Sequence, residues 1–158
     1  FQNEYGWWYV SGGKVQFGYS GVRPNSNGWW KITNGKVDFG FTGLAQNENG
    51  WWYLKNGKVD FSAHTLVSND AGIWYVKGGK VQFGYNGTVK ATDNDGYKRL
   101  CLIKDGHVDT SYTGYYMKED DPIYGLYYLT GGIQDTSYTG IKYYNGMQIY
   151  MNRGRVAD

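Results

Sequence analysis

The chain has 158 residues, of which 25 are glycine, 2 are proline and 19% are aromatic. This composition excludes intrinsic disorder, which is poor in aromatic residues, and favours short aromatic strands joined by tight turns. The 16 basic and 14 acidic residues give a net charge of +2 with no run of one sign, and no stretch approaches the ~18–20 apolar residues of a membrane span. The sequence therefore predicts neither a nucleic-acid partner nor a membrane-spanning segment.

Four regular copies of one motif fill the first part of the chain. They begin 22 residues apart, at Trp7, Trp29, Trp51 and Ile73. In each copy a run of aromatic and aliphatic residues leads to a Gly-Gly or Asn-Gly pair and then to a second short run. Such pairs are typical of two-residue type I′ hairpin turns, because both central residues of that turn need a positive φ. The sequence predicts these turns at Gly12-Gly13, Asn34-Gly35, Asn56-Gly57 and Gly78-Gly79.

The third copy, NGWWYLKNGKVDF at 49–61, indicates how the side chains divide between two faces. A two-residue turn would pair Leu54 with Val59 and Trp52 with Phe61, and these four residues would form one wholly apolar face. The opposite face would carry aromatic rings beside a carboxylate, from Trp51, Tyr53 and Asp60. The polar residues between copies, such as 23–28, are expected to form surface loops.

Three further copies are less regular and start near Leu100, Leu126 and Gln148. Extra residues fall between copies, at 90–96 and 118–122, and insertions in repeat arrays lie in loops. One hairpin cannot bury its apolar face alone, so recurring hairpins indicate stacking. The sequence therefore predicts an all-β fold, a solenoid of about seven stacked β-hairpin repeats of about 22 residues. We expect a single repeat array over 1–158, with four regular units in 1–89 and three divergent units with inserted loops in 90–158.

No group of residues suited to catalysis or metal binding stands out. His64 and His107 occupy positions that vary between copies. The Asp-Asn-Asp-Gly segment at 93–96 resembles part of a calcium loop but lacks the downstream glutamate, so a turn-rich insertion is the favoured interpretation. Cys101 stands where other copies have a tryptophan, which predicts a buried thiol. We therefore expect a protein that is not an enzyme and that uses no cofactor or metal.

Aromatic rings are the remaining candidates for a function. The second tryptophan of each copy faces the aliphatic side and is predicted to lie in the core; these are Trp8, Trp30, Trp52 and Trp74. The rings of the opposite face either pack between successive hairpins or line shallow clefts, and the sequence leaves both interpretations open. A flat ring beside a carboxylate suits a stacked sugar or a quaternary ammonium ion. The candidate ligand-binding residues are Trp7, Tyr9, Trp29, Trp51, Tyr53 and Tyr75.

The pattern Trp-aromatic-Tyr-Leu, a glycine turn, an aliphatic residue and Thr-Gly resembles the cell wall binding repeats of Gram-positive surface proteins, which include choline-binding and glucan-binding types. The resemblance is strongest over 7–87 and implies a β-hairpin solenoid that attaches a secreted protein to a wall polymer or polysaccharide. In the choline-binding branch, the cage residues would map to Trp51 and Tyr53. A further tryptophan after Thr-Gly completes that cage, whereas this chain has Val22, Leu44, Leu66, Thr88, Tyr115 and Ile141 there. This difference favours general wall or glycan binding over choline as the ligand.

The sequence and the resemblance together predict a non-catalytic cell-wall or carbohydrate-binding module of a secreted, cell-surface protein. The alternative is a structural spacer or adhesin segment that binds a protein partner and uses its rings only for packing. The chain opens in a linker-like segment, 1–6, and stops just after a second strand, so we expect it to be part of a longer chain. The outer tryptophan is lost after the third copy, which predicts binding by the first four copies and support by the last three.

Overall fold

The computed structural model describes residues 1–121 and 125–157, and every regular element within them is a β-strand. The chain forms two compact units, which we call unit 1 (Phe1–Phe83) and unit 2 (Gly84–Asp158). Both consist of antiparallel hairpins, which confirms the predicted all-β fold of stacked hairpin repeats. The single array over 1–158 stays a prediction. Within the described ranges no helix is long and apolar enough to cross a membrane.

Unit 1 contains thirteen strands in which long and short hairpins alternate. The strands are β1 (Gln2–Asn3), β2 (Gly6–Trp7), β3 (Val10–Ser11), β4 (Lys14–Val15), β5 (Gly21–Asn25), β6 (Gly28–Thr33), β7 (Lys36–Val37), β8 (Gly43–Asn47), β9 (Gly50–Lys55), β10 (Lys58–Val59), β11 (His64–Asn69), β12 (Gly72–Lys77) and β13 (Lys80–Val81). A long hairpin such as β5–β6 is followed by a short one such as β6–β7, which shares its second strand.

The polar segments between copies form the arms and tips of the long hairpins, so the prediction of surface loops there is wrong for most of their length. In the segment 23–28, Asn25 pairs with Gly28 and only two residues form the turn. The Asn25 carboxamide oxygen accepts a hydrogen bond from the backbone N–H of Asn27 at 2.8 Å. This side chain closes the turn locally, and the flanking residues are therefore free to continue the ladder.

All four predicted short turns are confirmed. Asn34 and Asn56 have φ of 49° and 51°, and the glycine after each has φ of 79°. The strand after the turn is shorter than predicted. In the third repeat it was expected to reach Phe61, but β10 ends at Val59. Leu54 faces Val59 as expected, and both side chains are buried.

The predicted pairing of Trp52 with Phe61 is wrong. The residue opposite Trp52 is Lys80 of the next repeat. The chain leaves the strand at Asp60, whose carboxylate accepts hydrogen bonds from the backbone N–H and the hydroxyl of Ser62 at 3.0 and 2.6 Å. Phe61 still meets the Trp52 ring edge-on at 5.8 Å, but its side chain is 47% exposed, so the predicted apolar face is not wholly buried.

Successive repeats of unit 1 meet at the glycine in the second position of the short turn in repeats two to four, which is Gly35, Gly57 or Gly79. Gly57 donates its N–H to the carbonyl of Phe41 and accepts from the N–H of Lys31, both at 2.7 Å. A Cβ added to Gly57 would lie 2.8 Å from the Cα of Phe39 and would collide with the carbonyl of Asp38. The close backbone approach therefore explains why glycine occupies this position of the repeat.

The core of unit 1 forms between the stacked hairpins. One buried cluster brings together residues of three consecutive repeats: Val22, Ala45, Trp52, Leu54 and Val59. A second cluster contains Ala63, Val76 and Val81. Burial is therefore shared between neighbours, as the repeat pattern predicts.

Unit 2 continues the hairpin pattern. The strands are β14 (Gly87–Thr92), β15 (Lys98–Lys104), β16 (His107–Val108), β17 (Gly114–Met117), β18 (Leu126–Thr130), β19 (Ile133–Gln134), β20 (Gly140–Tyr144), β21 (Met147–Asn152) and β22 (Arg155–Ala157). A buried cluster of Leu100, Tyr127 and Leu129 lies in its core. Cys101 is 2% exposed, as predicted, and burial raises the pKa of its thiol to about 11.

The insertion at 90–96 extends a long hairpin. The prediction of a loop is wrong for 90–92, which continue β14, whereas 93–96 form a turn as predicted. The carboxylate of Asp93 accepts the N–H groups of Asp95 and Tyr97 and forms an ion pair with Arg99 at 2.8 Å. Burial opposes the ionised form of Asp93, but these hydrogen bonds outweigh it and lower the pKa of the carboxyl. The second insertion, at 118–122, is described only as far as Asp121, and Pro122 lies outside the described residues.

Candidate functional site

An asparagine fixes the second tryptophan of every regular repeat. The Asn25 carboxamide oxygen, which closes the long turn, also accepts a hydrogen bond from the Trp30 indole N–H at 3.0 Å. The same pair recurs three more times at 2.9 Å, between Asn3 and Trp8, Asn47 and Trp52, and Asn69 and Trp74. Each indole is therefore held in one orientation by the turn of its own hairpin.

A phenylalanine from the same repeat meets each of these tryptophans edge-on. In the second repeat the Trp30 and Phe39 ring centroids are 5.6 Å apart with an interplanar angle of 73°. The equivalent rings pair in the other repeats as Trp8 with Phe17, Trp52 with Phe61, and Trp74 with Phe83. All four phenylalanine side chains are exposed, so each repeat presents one apolar ring at its surface.

An open cleft lies between the first and second repeats. Trp7, which is 37% exposed, lines it together with Trp30 and Phe39. The complete lining is Trp7, Asn25, Asn27, Trp30, Val37 and Phe39, and the cleft encloses about 190 Å³. Three aromatic side chains and two amides thus surround a space that is open to solvent.

The equivalent arrangement one repeat later is closed. The Trp29 ring centroid lies 4.9 Å from that of Trp52 and 5.5 Å from that of Phe61, with interplanar angles of 64° and 86°. These rings are in van der Waals contact, so a ligand could enter only by separating them. In the next repeat, Trp51 and Tyr53 pack as half-buried residues against the cluster around Val76.

The remaining predicted site residues already have partners within the chain. The Tyr9 ring lies 4.9 Å from that of Tyr19, and the Arg23 guanidinium sits over both at 5.3 and 4.6 Å. Tyr75 is 6% exposed, and its hydroxyl lies 2.9 Å from Nε2 of His64. Of the six predicted residues, Trp7 lines the cleft between the first two repeats, and Tyr9 joins Trp7 in lining an adjoining cavity of about 390 Å³ that shares Asn25 and Trp30 with it.

In the second and third regular repeats an aspartate follows the second strand and binds the next turn, whereas the first and fourth repeats have Gln16 and Gln82 there. Asp38 accepts the N–H of Gly40 at 3.1 Å, and Asp60 binds Ser62 in the same way. In unit 2 the serine hydroxyl and backbone N–H groups lower the pKa of Asp109 and Asp135, although burial opposes them. These carboxylates therefore stabilise turns.

Only Trp7 of the six lining residues was predicted from the sequence. Trp30 was predicted to lie in the core, but it is half-buried, as are Trp8 and Trp74, and of these four tryptophans Trp52 alone is buried. Phe39 was assigned to the buried face, because its strand was expected to continue past Val37. Asn25 was treated as a loop residue, although an asparagine lies five positions before the second tryptophan of every regular copy. That fixed offset is visible in the sequence and could have identified the residue that orients the indole.

Comparison with known proteins agrees with the repeat boundaries. A family model described as Choline-binding repeat matches residues 1–16, 18–38, 40–60 and 64–82. Each matched segment contains the aromatic strand and the short turn of one regular repeat. A search of the curated proteins found no match.

Proposed function

The chain belongs to the choline-binding repeat family through its four regular repeats, and we propose that it is a non-catalytic module that attaches a larger secreted protein to a polymer of the cell wall. Choline-binding repeats are typical of cell-surface proteins. The proposed ligand is a wall polymer or polysaccharide that carries either a quaternary ammonium group such as choline or a sugar ring with an apolar face.

The cleft at Trp7 is the observation that supports this proposal. Rings from two repeats line one open cleft, and Asn25 holds the Trp30 ring in position. A cation over an aromatic face contributes about 0.5–2 kcal/mol, depending on how far it is desolvated. One shallow site is therefore weak, and a polymer that presents the same group many times would compensate by repeated binding.

The test is a titration of the Trp7→Ala variant with choline and, separately, with soluble wall polysaccharide. Loss of the ring should weaken binding of the true ligand by about 2-fold to 30-fold, the range that corresponds to the ring's contribution. Phe17→Ala is the matched control, because Phe17 packs edge-on against Trp8 as Phe39 does against Trp30 but lies outside the cleft. Unchanged affinity in Trp7→Ala for every ligand that the native protein binds would refute the proposal.

The alternative is a structural spacer that binds a protein partner. The closed arrangement of Trp29 and the packing of Trp51 favour it, because both rings contribute to the stack. If the native protein binds neither choline nor polysaccharide, while Trp29→Ala and Trp51→Ala both lower the free energy of unfolding, the spacer is the better assignment.

A further inference from the structure

Six asparagine residues of the chain stand directly before a glycine. They are Asn27, Asn34, Asn49, Asn56, Asn86 and Asn145. Asn-Gly is the dipeptide most prone to spontaneous loss of the asparagine side-chain amide, because glycine has no side chain to hinder attack by its own backbone nitrogen. As dipeptides the six are equivalent, so only their surroundings in the folded chain can make their reactivity differ.

The reaction needs an accessible glycine nitrogen and freedom to rotate the backbone between the two residues. The nitrogen loses its proton and attacks the side-chain carbonyl carbon of the asparagine. A C–N bond forms, the bond to the amide NH2 group breaks, and ammonia leaves with that proton. Water then opens the five-membered succinimide at either carbonyl, which leaves aspartate or isoaspartate. A glycine whose N–H is hydrogen-bonded must first break that bond.

Two of the six pairs are held in the joints between repeats. Gly35 and Gly57 each donate the backbone N–H to a carbonyl of the preceding repeat at 2.7 Å. The N–H groups of Asn34 and Asn56 are also bound, by side-chain hydroxyl oxygens of the preceding repeat at 3.0 and 3.1 Å. Both glycines are buried. Attack at these two asparagines therefore requires the joint to open.

Three more pairs have their glycine inside a strand. Gly28, Gly50 and Gly87 begin β6, β9 and β14. A side chain lies against each of them, so that an added Cβ would come within 2.5, 2.8 and 3.3 Å of one of its atoms. The carboxamide of Asn86 is bound as well, because its oxygen accepts the backbone N–H of Asp105 at 2.9 Å. These pairs are fixed by the strand ladder and by the side chains around them.

The pair Asn145-Gly146 differs from the other five. It forms the two-residue turn between Tyr144 and Met147 at the tip of the hairpin β20–β21. Asn145 and Gly146 are both exposed, and a Cβ added to Gly146 would have no atom within 4 Å. In the part of the chain that the structure describes, Gly146 makes none of the backbone hydrogen bonds to a preceding repeat that hold Gly35 and Gly57.

We propose that Asn145 is a site of spontaneous deamidation in the folded protein, where it is converted through a succinimide to aspartate and isoaspartate. Exposed turns open locally at a small cost in free energy, whereas a joint opens only when the repeats that it connects separate. Leaving a buried N–H without its acceptor costs about 1–3 kcal/mol, which corresponds to a reaction about 5-fold to 140-fold slower. The site is separate from the cleft at Trp7, whose lining residues all belong to unit 1.

The conversion alters the tip of the hairpin in two ways. Either product carries a carboxylate, which lowers the formal net charge of the chain from +2 by one unit. Isoaspartate also routes the main chain through its Cβ, and this adds one carbon to a turn that holds two residues. The pairing of Tyr144 with Met147 should therefore be lost, while the inner pairs of the hairpin remain.

The test follows the full chain during incubation at mildly alkaline pH, in the native state and in guanidinium chloride. Samples are digested with an acid protease, because acid stops further reaction, and the peptide of each asparagine is quantified by its mass. In the native protein the Asn145 peptide should be modified about 5-fold to 140-fold faster than those of Asn34 and Asn56. In the unfolded chain all six should react at similar rates, which is the matched control for local sequence.

A variant and an analysis of the products complete the test. Asn145→Gly keeps the turn, since Gly12-Gly13 forms such a turn in the first repeat, and it should abolish the acidic form of the native protein. Electron-transfer fragmentation cleaves the extra main-chain bond of isoaspartate, and it should detect isoaspartate beside aspartate. Aspartate alone would show direct hydrolysis of the side chain and would overturn the proposal. A native rate at Asn145 no higher than that at Asn34 or Asn56 would also overturn it.

Discussion

Replacing Gly57 by alanine should separate the second and third repeats. The residue has φ of 79°, where an L-amino acid is strained by about 1–2 kcal/mol. The added Cβ would also meet the backbone of 38–39, which belongs to the preceding repeat and cannot move without moving its whole turn. Two hydrogen bonds across this joint, to Lys31 and Phe41, would lengthen or break.

The magnitude follows from these parts. Each of the two backbone hydrogen bonds contributes about 0.5–1.5 kcal/mol, and the strain at the turn adds about 1–2 kcal/mol. We therefore expect Gly57→Ala to lower the free energy of unfolding by roughly 2–5 kcal/mol. Gly13→Ala is the matched control, because Gly13 has φ of 75° in the equivalent turn of the first repeat but has no atom within 4 Å of its added Cβ. Its cost should be the strain alone, about 1–2 kcal/mol.

Urea unfolding of the two variants and the native protein provides the measurement. Tryptophan fluorescence and far-UV circular dichroism should be followed together, because only coincident transitions allow a two-state free energy to be extracted from a repeat protein. If Gly57→Ala is no less stable than Gly13→Ala, the close approach at the turn glycine does not hold the repeats together, and the explanation for that glycine is wrong.

Three further predictions concern single side chains. Asn47→Ala removes the acceptor of the Trp52 indole N–H and of a turn N–H, and urea unfolding should show a loss of about 1–2 kcal/mol. Because burial raises the pKa of the Cys101 thiol to about 11, iodoacetamide at pH 8 should modify the native protein at least 100-fold more slowly than the unfolded one, and equal rates would show that the thiol is accessible. The pKa of Tyr115 is raised to about 12, first by burial and then by its hydrogen bond to Tyr138. The pKa values of Tyr19, Tyr116 and Tyr127 are also raised, so absorbance at alkaline pH should show late ionisations whose amplitude Tyr115→Phe reduces. Since the folded pKa lies above the unfolded value of about 10, the stability that Tyr115 contributes is fully present below pH 10 and is lost as the pH rises towards 12.

The sequence predicts the short turns and the inner pairs because both depend on neighbouring residues. Asn56-Gly57 specifies its turn by backbone preference, and Leu54 then has to face Val59. The exposed position of Phe61 could not be predicted. It depends on a hydrogen bond from the Ser62 N–H to the Asp60 carboxylate, which turns the chain out of the strand. The open state of the cleft at Trp7 and the closed state of its equivalent at Trp29 also could not be predicted, since the two residues occupy the same position of the same motif.

The difference between these two tryptophans limits how a repeat array of this kind can bind ligands. A ring 4.9 Å from its neighbour, as Trp29 is from Trp52, adds buried area to the stack and leaves no space for a ligand. A ring that lines an open cleft, as Trp7 does, adds a binding surface and contributes less burial. One side chain cannot serve both purposes at once. The number of clefts therefore need not follow the number of repeats, because each copy that closes its cleft exchanges a site for stability.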